Sequence, residues 1–410
     1  MCELQAQVAE ARKQPEVDLL LSCARARVTM KISTRIQSAV QKKLDWMELI
    51  QLALRHNVMP LLYRNLQQVC PDSVPAGILA PIRARYEAQA RESRRLAEEL
   101  VRILPELEVA GVLAVPWKGP TLAQRLYGDL SLRESGDLDI MLMGRDVSKA
   151  QEVIRRFGYE FSYLKHLDDL AEDVRNRREL LFHRSDGAVL ELQWRFAERL
   201  ACVKHDPERF LQRFETVALA GSRVRSLPLE IYLLILPIHA TKHKWGQLKL
   251  ICDIAEILYH PELDWQYVLR EARSLGLRRM IEVGVLLADT LLEAAVPDEL
   301  ARGLKMDRTT RALASEVCGE LFSEQRKNWR GNADFPFQFK IRERLRDRAS
   351  MLYWNLPSKI KPDERDRDFL PMPEVFSPLY YLVRPVRWSW EKMRVQFLGH
   401  SSTYSELPNL

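Results

Sequence analysis

Two aspartates flank one leucine at Asp137-Leu138-Asp139, at the head of an apolar stretch that continues through Ile140, Met141 and Leu142. Read as a strand, the stretch places residues i and i+2 on one face, roughly 7 Å apart. Two carboxylates that close repel each other unless a cation lies between them. Hard oxygen ligands at that spacing suit Mg2+, which keeps several waters and completes its shell with substrate phosphates. Leu138, Ile140 and Leu142 would then anchor the opposite face. A DxD at a strand end is also a common turn-forming element, so its neighbours decide what it means.

Three neighbours carry compatible chemistry. Lys118-Gly119-Pro120 lies where a short apolar segment, Val112 to Trp117, gives way to a helix. Free backbone N–H groups and the helix dipole favour an anion there, and Lys118 adds a point charge. Arg133, four residues before Asp137, can reach the same anion. Either cation could equally be an ordinary solvated one. Glu191 is an acid within the apolar run Val189-Leu190-Glu191-Leu192-Gln193-Trp194. It fits either the wet face of an edge strand or a place beside Asp137 and Asp139, where three carboxylates would serve two metal ions.

The elements that must position these residues are legible in outline. Through residue 110 the periodicity is helical: a helix around Trp46–Leu54, a second opened by Pro60, and a long amphipathic one from Ile82 to Leu104 ending near Pro105. Its arginines read as a solvated face paired to glutamates. From Gly111 the texture becomes mixed α/β, with strands at 136–143, 159–163, 179–183 and 188–194. Asp146 should cap a helix that Gly158 ends, and Ser185-Asp186-Gly187 reads as a hairpin turn. After about residue 205 the pattern is helical again. The expected fold class is α+β, a small mixed sheet embedded between helical regions. The expected units are an N-terminal extension (1–44), a helical lead-in (45–110), the α/β core (111–200), a helical domain (201–330) and a basic, Pro- and Trp-rich arm (331–410).

The segment Trp117 to Leu142, the following helix with its Gly158-Tyr159, and then Val189 to Trp194 together resemble the uncharacterised nucleotidyltransferase family of the polymerase-β superfamily. The similarity extends to the lead-in Trp46–Tyr63, to His239–Leu258 and to the tail Pro378–Pro385, so it covers about residues 45–385. It implies that Asp137, Asp139 and Glu191 bind metal and act in catalysis. Gly119 would let a triphosphate approach the backbone, with Lys118 and Arg133 beside it. It also implies transfer of a nucleoside monophosphate from an NTP, with ATP expected, to an acceptor hydroxyl or phosphate. Two Mg2+ ions, or Mn2+ in their place, would assist. A small molecule, peptide or protein fits as acceptor better than a nucleic acid. Two departures stand out. Gln193 occupies a position where the family usually has His. Lys-Gly-Pro replaces the superfamily's Gly-Ser, eighteen residues before Asp137 (137 minus 119).

His239 and His243 have the i,i+4 spacing of a zinc helix but lack the HExxH glutamate, since Ala240 follows His239. They read as packing residues or, by the resemblance, as an acceptor wall. Asp253 is expected to hydrogen-bond to that helix. Trp388, Trp390, Arg384, Arg387, Lys392 and Arg394 form a basic aromatic tail that suits core packing better than a membrane or RNA. A DxD glycosyltransferase would need a nucleotide-binding α/β half before Asp137, where the sequence is helical. A haloacid-dehalogenase phosphatase would need Thr shortly after Asp139. A catalytically degenerate, binding-only member remains the alternative.

The 410-residue chain carries 62 Lys+Arg against 56 Asp+Glu, a net charge of +6 that is too mild to indicate nucleic-acid binding. Its six scattered cysteines form no CxxC pair, and its longest apolar run, Ile231–Ile238, falls far short of the about 20 residues that span a bilayer. The N-terminus has acids where a secretion signal would be basic. A soluble, cytoplasmic protein without a transmembrane segment is expected.

Overall fold

The computed structural model describes residues 2–161, 178–196, 208–260, 263–304, 306–323 and 335–360, with isolated positions and short stretches between 366 and 390. Residues 1–347 form one compact unit and 348–410 a second.

Six helices come first: α1 (Cys2–Ala11), α2 (Pro15–Cys23), α3 (Met30–Val40), α4 (Trp46–Arg55), α5 (Met59–Val69) and α6 (Ala76–Val109). Asp45 starts α4 by accepting hydrogen bonds from the Met47 and Glu48 amides, as an N-cap carboxylate does. α6 is longer than expected. It runs through both Pro81 and Pro105, because tertiary packing of Leu96, Leu100, Ile103 and Leu107 against the sheet outweighs the bonds that proline removes.

The α/β segment contains β1 (Val115–Pro116), α7 (Gly119–Tyr127), β2 (Leu138–Met141), α8 (Val147–Arg156), β3 (Glu160–Phe161), β4 (Glu179–His183) and β5 (Val189–Gln193). The five strands order as β1-β2-β5-β4-β3. β2 and β5 are parallel and the other pairs antiparallel, a small mixed sheet as expected. Leu138, Ile140, Leu190 and Leu192 point into one core with α6 and α8. Period-2 alternation therefore sends Asp139, Glu191 and Gln193 to the other face. Asp146 occupies the N-cap position of α8 without a side-chain cap bond, and Gly158 ends the helix at φ +80°.

Next come α9 (Glu208–Leu211) and the strands β6 (Glu215–Leu219) and β7 (Ser222–Ser226). This hairpin corrects the expectation of uninterrupted helix after residue 205. Its turn, Ala220-Gly221, has positive φ at both residues, as a two-residue hairpin turn requires. The remaining helices are α10 (Leu229–Lys242), α11 (Leu248–Leu258), α12 (Trp265–Leu275), α13 (Arg278–Leu292), α14 (Asp298–Gly303), α15 (Arg308–Leu321), α16 (Phe335–Ile341) and α17 (Leu345–Ile360). α10 is apolar almost throughout, and eleven of its fourteen residues are buried. α11 packs against α10 and α13, and it also reaches α7. No described helix is long and apolar enough to cross a membrane.

In the second unit, Arg384 and Arg387 both pair with the buried Asp366, while Trp390 is exposed. Trp388, Lys392 and Arg394 lie outside the described residues.

Candidate functional site

The parallel register sets Asp139 directly opposite Glu191, and Met141 opposite Gln193. Asp137 stands at the mouth of β2, half-buried, one residue before the ladder begins. The strand chemistry thus brings the three expected carboxylates to one face, two of them on adjoining strands.

That face is held by an amide and an amine. The Gln193 Nε2 donates to Asp139 Oδ1 at 2.8 Å and to Glu191 Oε2 at 2.5 Å. Its Oε1 accepts from the Trp117 indole at 3.1 Å. An indole N–H only donates, so the amide orientation is fixed and all its bonding capacity toward the acids is used. Where a histidine would present one neutral N–H, glutamine joins both carboxylates at once. Lys118 Nζ lies 2.9 Å from Asp139 Oδ1 and 4.3 Å from the centre of the Trp117 ring. Lys118 is the residue immediately before α7, and Gly119 opens that helix at φ +59°. A Cβ on Gly119 would sit 3.1 Å from the Asp137 carbonyl oxygen. The glycine is therefore required both by handedness and by a close approach of its backbone to the DxD segment.

Burial, followed by the neighbouring Asp139, pushes the Asp137 carboxyl above its ordinary range. Burial, then Asp139 and Glu179, raise Glu191 to about 7. Carboxyl groups driven up by burial and by each other are the arrangement that a cation relieves.

Arg133, expected at the phosphate, is engaged by Asp253. Its Nε donates to Asp253 Oδ1 at 2.9 Å and its Nη2 to Asp253 Oδ2 at 2.9 Å, with both side chains buried. Among the described residues Asp253, in turn, has its side-chain hydrogen bonds with Arg133 and Tyr127 and none with the histidine-bearing helix α10. It accepts from the Tyr127 hydroxyl at 2.9 Å. The cation that sequence reasoning missed is Lys249, in the first turn of α11. Its Nζ donates to the Glu134 carbonyl at 3.3 Å. Burial, and then Arg133, lower it to about 8, while it helps to offset the charge on Asp137. The signal was present: Lys249 and Asp253 are i,i+4 on one helix and share a face.

His239 and His243 do adjoin this face. The His239 ring packs edge-on to Trp117, centroids 6.4 Å apart, and to His243 at 4.9 Å. Burial, then Lys118, His243 and Lys249, hold His239 well below the ordinary imidazole value. Burial, then Lys242 and Lys118, take His243 to about 4. Both are neutral rings near neutral pH, which makes them donors, acceptors or stacking surfaces and not charges.

Among the described residues, no three acid, thiol or imidazole side chains already converge as a metal cage. Asp139 Oδ1 is instead taken by Lys118 and Gln193. The donor set nonetheless fits a hard divalent cation. Asp139 Oδ2 and both Asp137 oxygens accept no hydrogen bond among the described residues. Next to them the Ser135 hydroxyl and Glu134 Oε1 are buried without a partner.

No curated protein matches the chain. The sequence profile of the uncharacterised nucleotidyltransferases matches residues 42–293, more than half of the chain. It spans helix α4, the whole carboxylate face and the helices that carry His239, His243, Lys249 and Asp253, and on that match the chain belongs to the uncharacterised nucleotidyltransferase family.

Proposed function

We propose that the chain transfers a nucleoside monophosphate from an NTP, with ATP the expected donor, to an acceptor hydroxyl or phosphate and releases pyrophosphate, as a polymerase-β-like enzyme. The observation that carries this reading is the Asp139–Glu191 pairing on adjoining parallel strands, with Asp137 beside it. Asp137, Asp139 and Glu191 would hold Mg2+, or Mn2+ in its place. Bound there, the metal supplies Lewis-acid polarisation of phosphoryl oxygens and makes an acceptor oxygen more nucleophilic.

The side chains have separable tasks. Lys118 exchanges its Asp139 contact for phosphate oxygens and neutralises charge that gathers there in the transition state. Lys249, which donates to the Glu134 carbonyl, would give a second cation on the α11 side. Gln193 orients both acids from behind, buried and unable to titrate. Glu191 would hold metal on the acceptor side and take up the proton that the acceptor hydroxyl gives up. The neutral rings of His239 and His243, packed against Trp117, would form a wall for a small-molecule or peptide acceptor.

The test is incubation of the full chain with each labelled NTP, Mg2+ and a metabolite extract, with products weighed by mass spectrometry. Label should enter a product with release of pyrophosphate, and Asp139→Asn should lower the rate on the order of a thousandfold. Equal transfer by Asp139→Asn would sink the site assignment. One observation favours a second reading, a degenerate member that binds nucleotide without turnover: Lys118 and Gln193 already satisfy Asp139 Oδ1. Calorimetric binding of nucleotide with no product from any acceptor would select it.

A further inference from the structure

The segment from Gly128 to Asp137, which links the phosphate-side helix α7 to the acids of β2, has no regular ladder of its own. It is instead tied down from two sides. On the α6 side, the Tyr86 hydroxyl is 2.7 Å from Ser131 Oγ, and Gln89 Nε2 donates to the Ser135 carbonyl at 3.0 Å. On the α11 side, Lys249 holds the Glu134 carbonyl at 3.3 Å, and the Asp253 carboxylate grips Arg133 with a two-point fork. The same carboxylate holds the Tyr127 hydroxyl at the end of α7. One buried acid on α11 therefore holds the stretch that leads from Lys118-Gly119 to Asp137 at two points, Tyr127 at the end of α7 and Arg133 four residues before Asp137.

We propose that Asp253 is a positioning residue for the carboxylate face: through Arg133 and Tyr127 it sets the place of Asp137 relative to Lys118 and Gly119. This rests on the reading of the face as a nucleotidyl-transfer site. A buried ion pair is poor at stabilising a fold, because an apolar pair of similar volume does as well or better. What the fork supplies is orientation, since a planar guanidinium on a carboxylate has one geometry. Arg133 sits four residues before Asp137, so a shift at the fork is delivered to the acid through a short piece of chain. A Cβ at Gly119 would meet the Asp137 carbonyl at 3.1 Å, so the two backbones approach closely at that junction.

The test compares Asp253→Asn, which leaves Arg133 buried without its countercharge, with the double variant Arg133→Met/Asp253→Leu, which removes both charges. Each is measured in the full chain for melting midpoint, for transfer kinetics as kcat and KM against Mg2+ concentration, and for amide hydrogen exchange. Asp253→Asn should melt lower, and the double variant should regain most of the midpoint. Both should lose roughly tenfold to a hundredfold in kcat or in apparent Mg2+ affinity, the cost typical of groups that orient metal ligands. Activity that returns with stability in the double variant would overturn the proposal, since the pair would then be structural only. Exchange decides the matter even if the parent transfers nothing, which would defeat the functional reading alone. In both variants amides of 128–137 should exchange faster while those of β2 and β5 stay protected. Unchanged exchange in that stretch would overturn the positioning role.

Discussion

Lys118 and Arg133 are both basic side chains tied to an aspartate beside the carboxylate face, and they differ in most other respects. Lys118 makes one contact, 2.9 Å to Asp139, and leans on an indole ring, and the pair is 12% and 2% exposed. Arg133 makes a two-point fork to Asp253, and the pair is 6% and 1% exposed. Burial opposes the guanidinium's charge, yet Asp253 more than compensates and raises Arg133 above its ordinary value. A compact ammonium with a single partner can exchange it for another anion, whereas a forked guanidinium sealed inside the protein cannot do so cheaply. The contrast separates a cation able to change its anion from a cation sealed on its partner.

Removing each cation tests that contrast most strongly. Arg133→Met leaves Asp253 charged and enclosed, so unfolding free energy should drop by roughly 3–5 kcal/mol. Lys118→Met, which leaves the enclosed Asp139 with the Gln193 amide as a partner, should lower the melting midpoint less than Arg133→Met does, while transfer falls about a hundredfold. If Lys118→Met melts as low as Arg133→Met, the two pairs are alike and the distinction fails. A smaller effect is expected at Gly119. Alanine there must take φ +59° and meet the Asp137 carbonyl at 3.1 Å, at a cost of about 1–2 kcal/mol for the handedness alone. Denaturant midpoints should show that loss, with reduced nucleotide affinity beside it; a neutral Gly119→Ala would mean that the backbone approach carries no weight.

The smallest effect concerns acid. His243 is held at about 4 by burial and by Lys242, against about 6.5 in an unfolded chain. Between those values the unfolded chain binds the extra proton, so stability is complete above pH 6.5 and falls as pH drops toward 4. His243→Gln should flatten the melting-midpoint curve over that window and change little at pH 8. An equally steep curve would show that His243 is not one of the groups that titrate there.

The carboxylate face was legible because its information is local. Alternation within Leu138–Leu142 and within Val189–Trp194 says which residues share a face, and residue type says what that face can hold. What adjoining strands add is pairing, and no local pattern shows that Asp139 lies opposite Glu191. The Arg133 fork was out of reach for a related reason. The partner of Arg133 is 120 residues away, so a cation four residues before a DxD looked free when it was committed. The β6–β7 hairpin was missed because Ala220 at positive φ is not a residue that announces a turn. Pro105 misled in the other direction, since packing of α6 on the sheet carries the helix past it.

The parallel pairing of β2 with β5 also bears on how the chain reaches its fold. Asp139 and Glu191 are 52 positions apart (191 minus 139), and α8, β3 and β4 lie between their strands. A parallel pair with such an interval closes only after the crossover is in place, which makes it a slow contact to form. Closing it brings two like charges face to face before any ligand can offset them. The variant Asp139→Asn/Glu191→Gln should therefore refold faster than the parent in stopped-flow measurements. At this one rung of the ladder, chemistry and foldability pull against each other, and a chain selected for folding alone would not place two acids there.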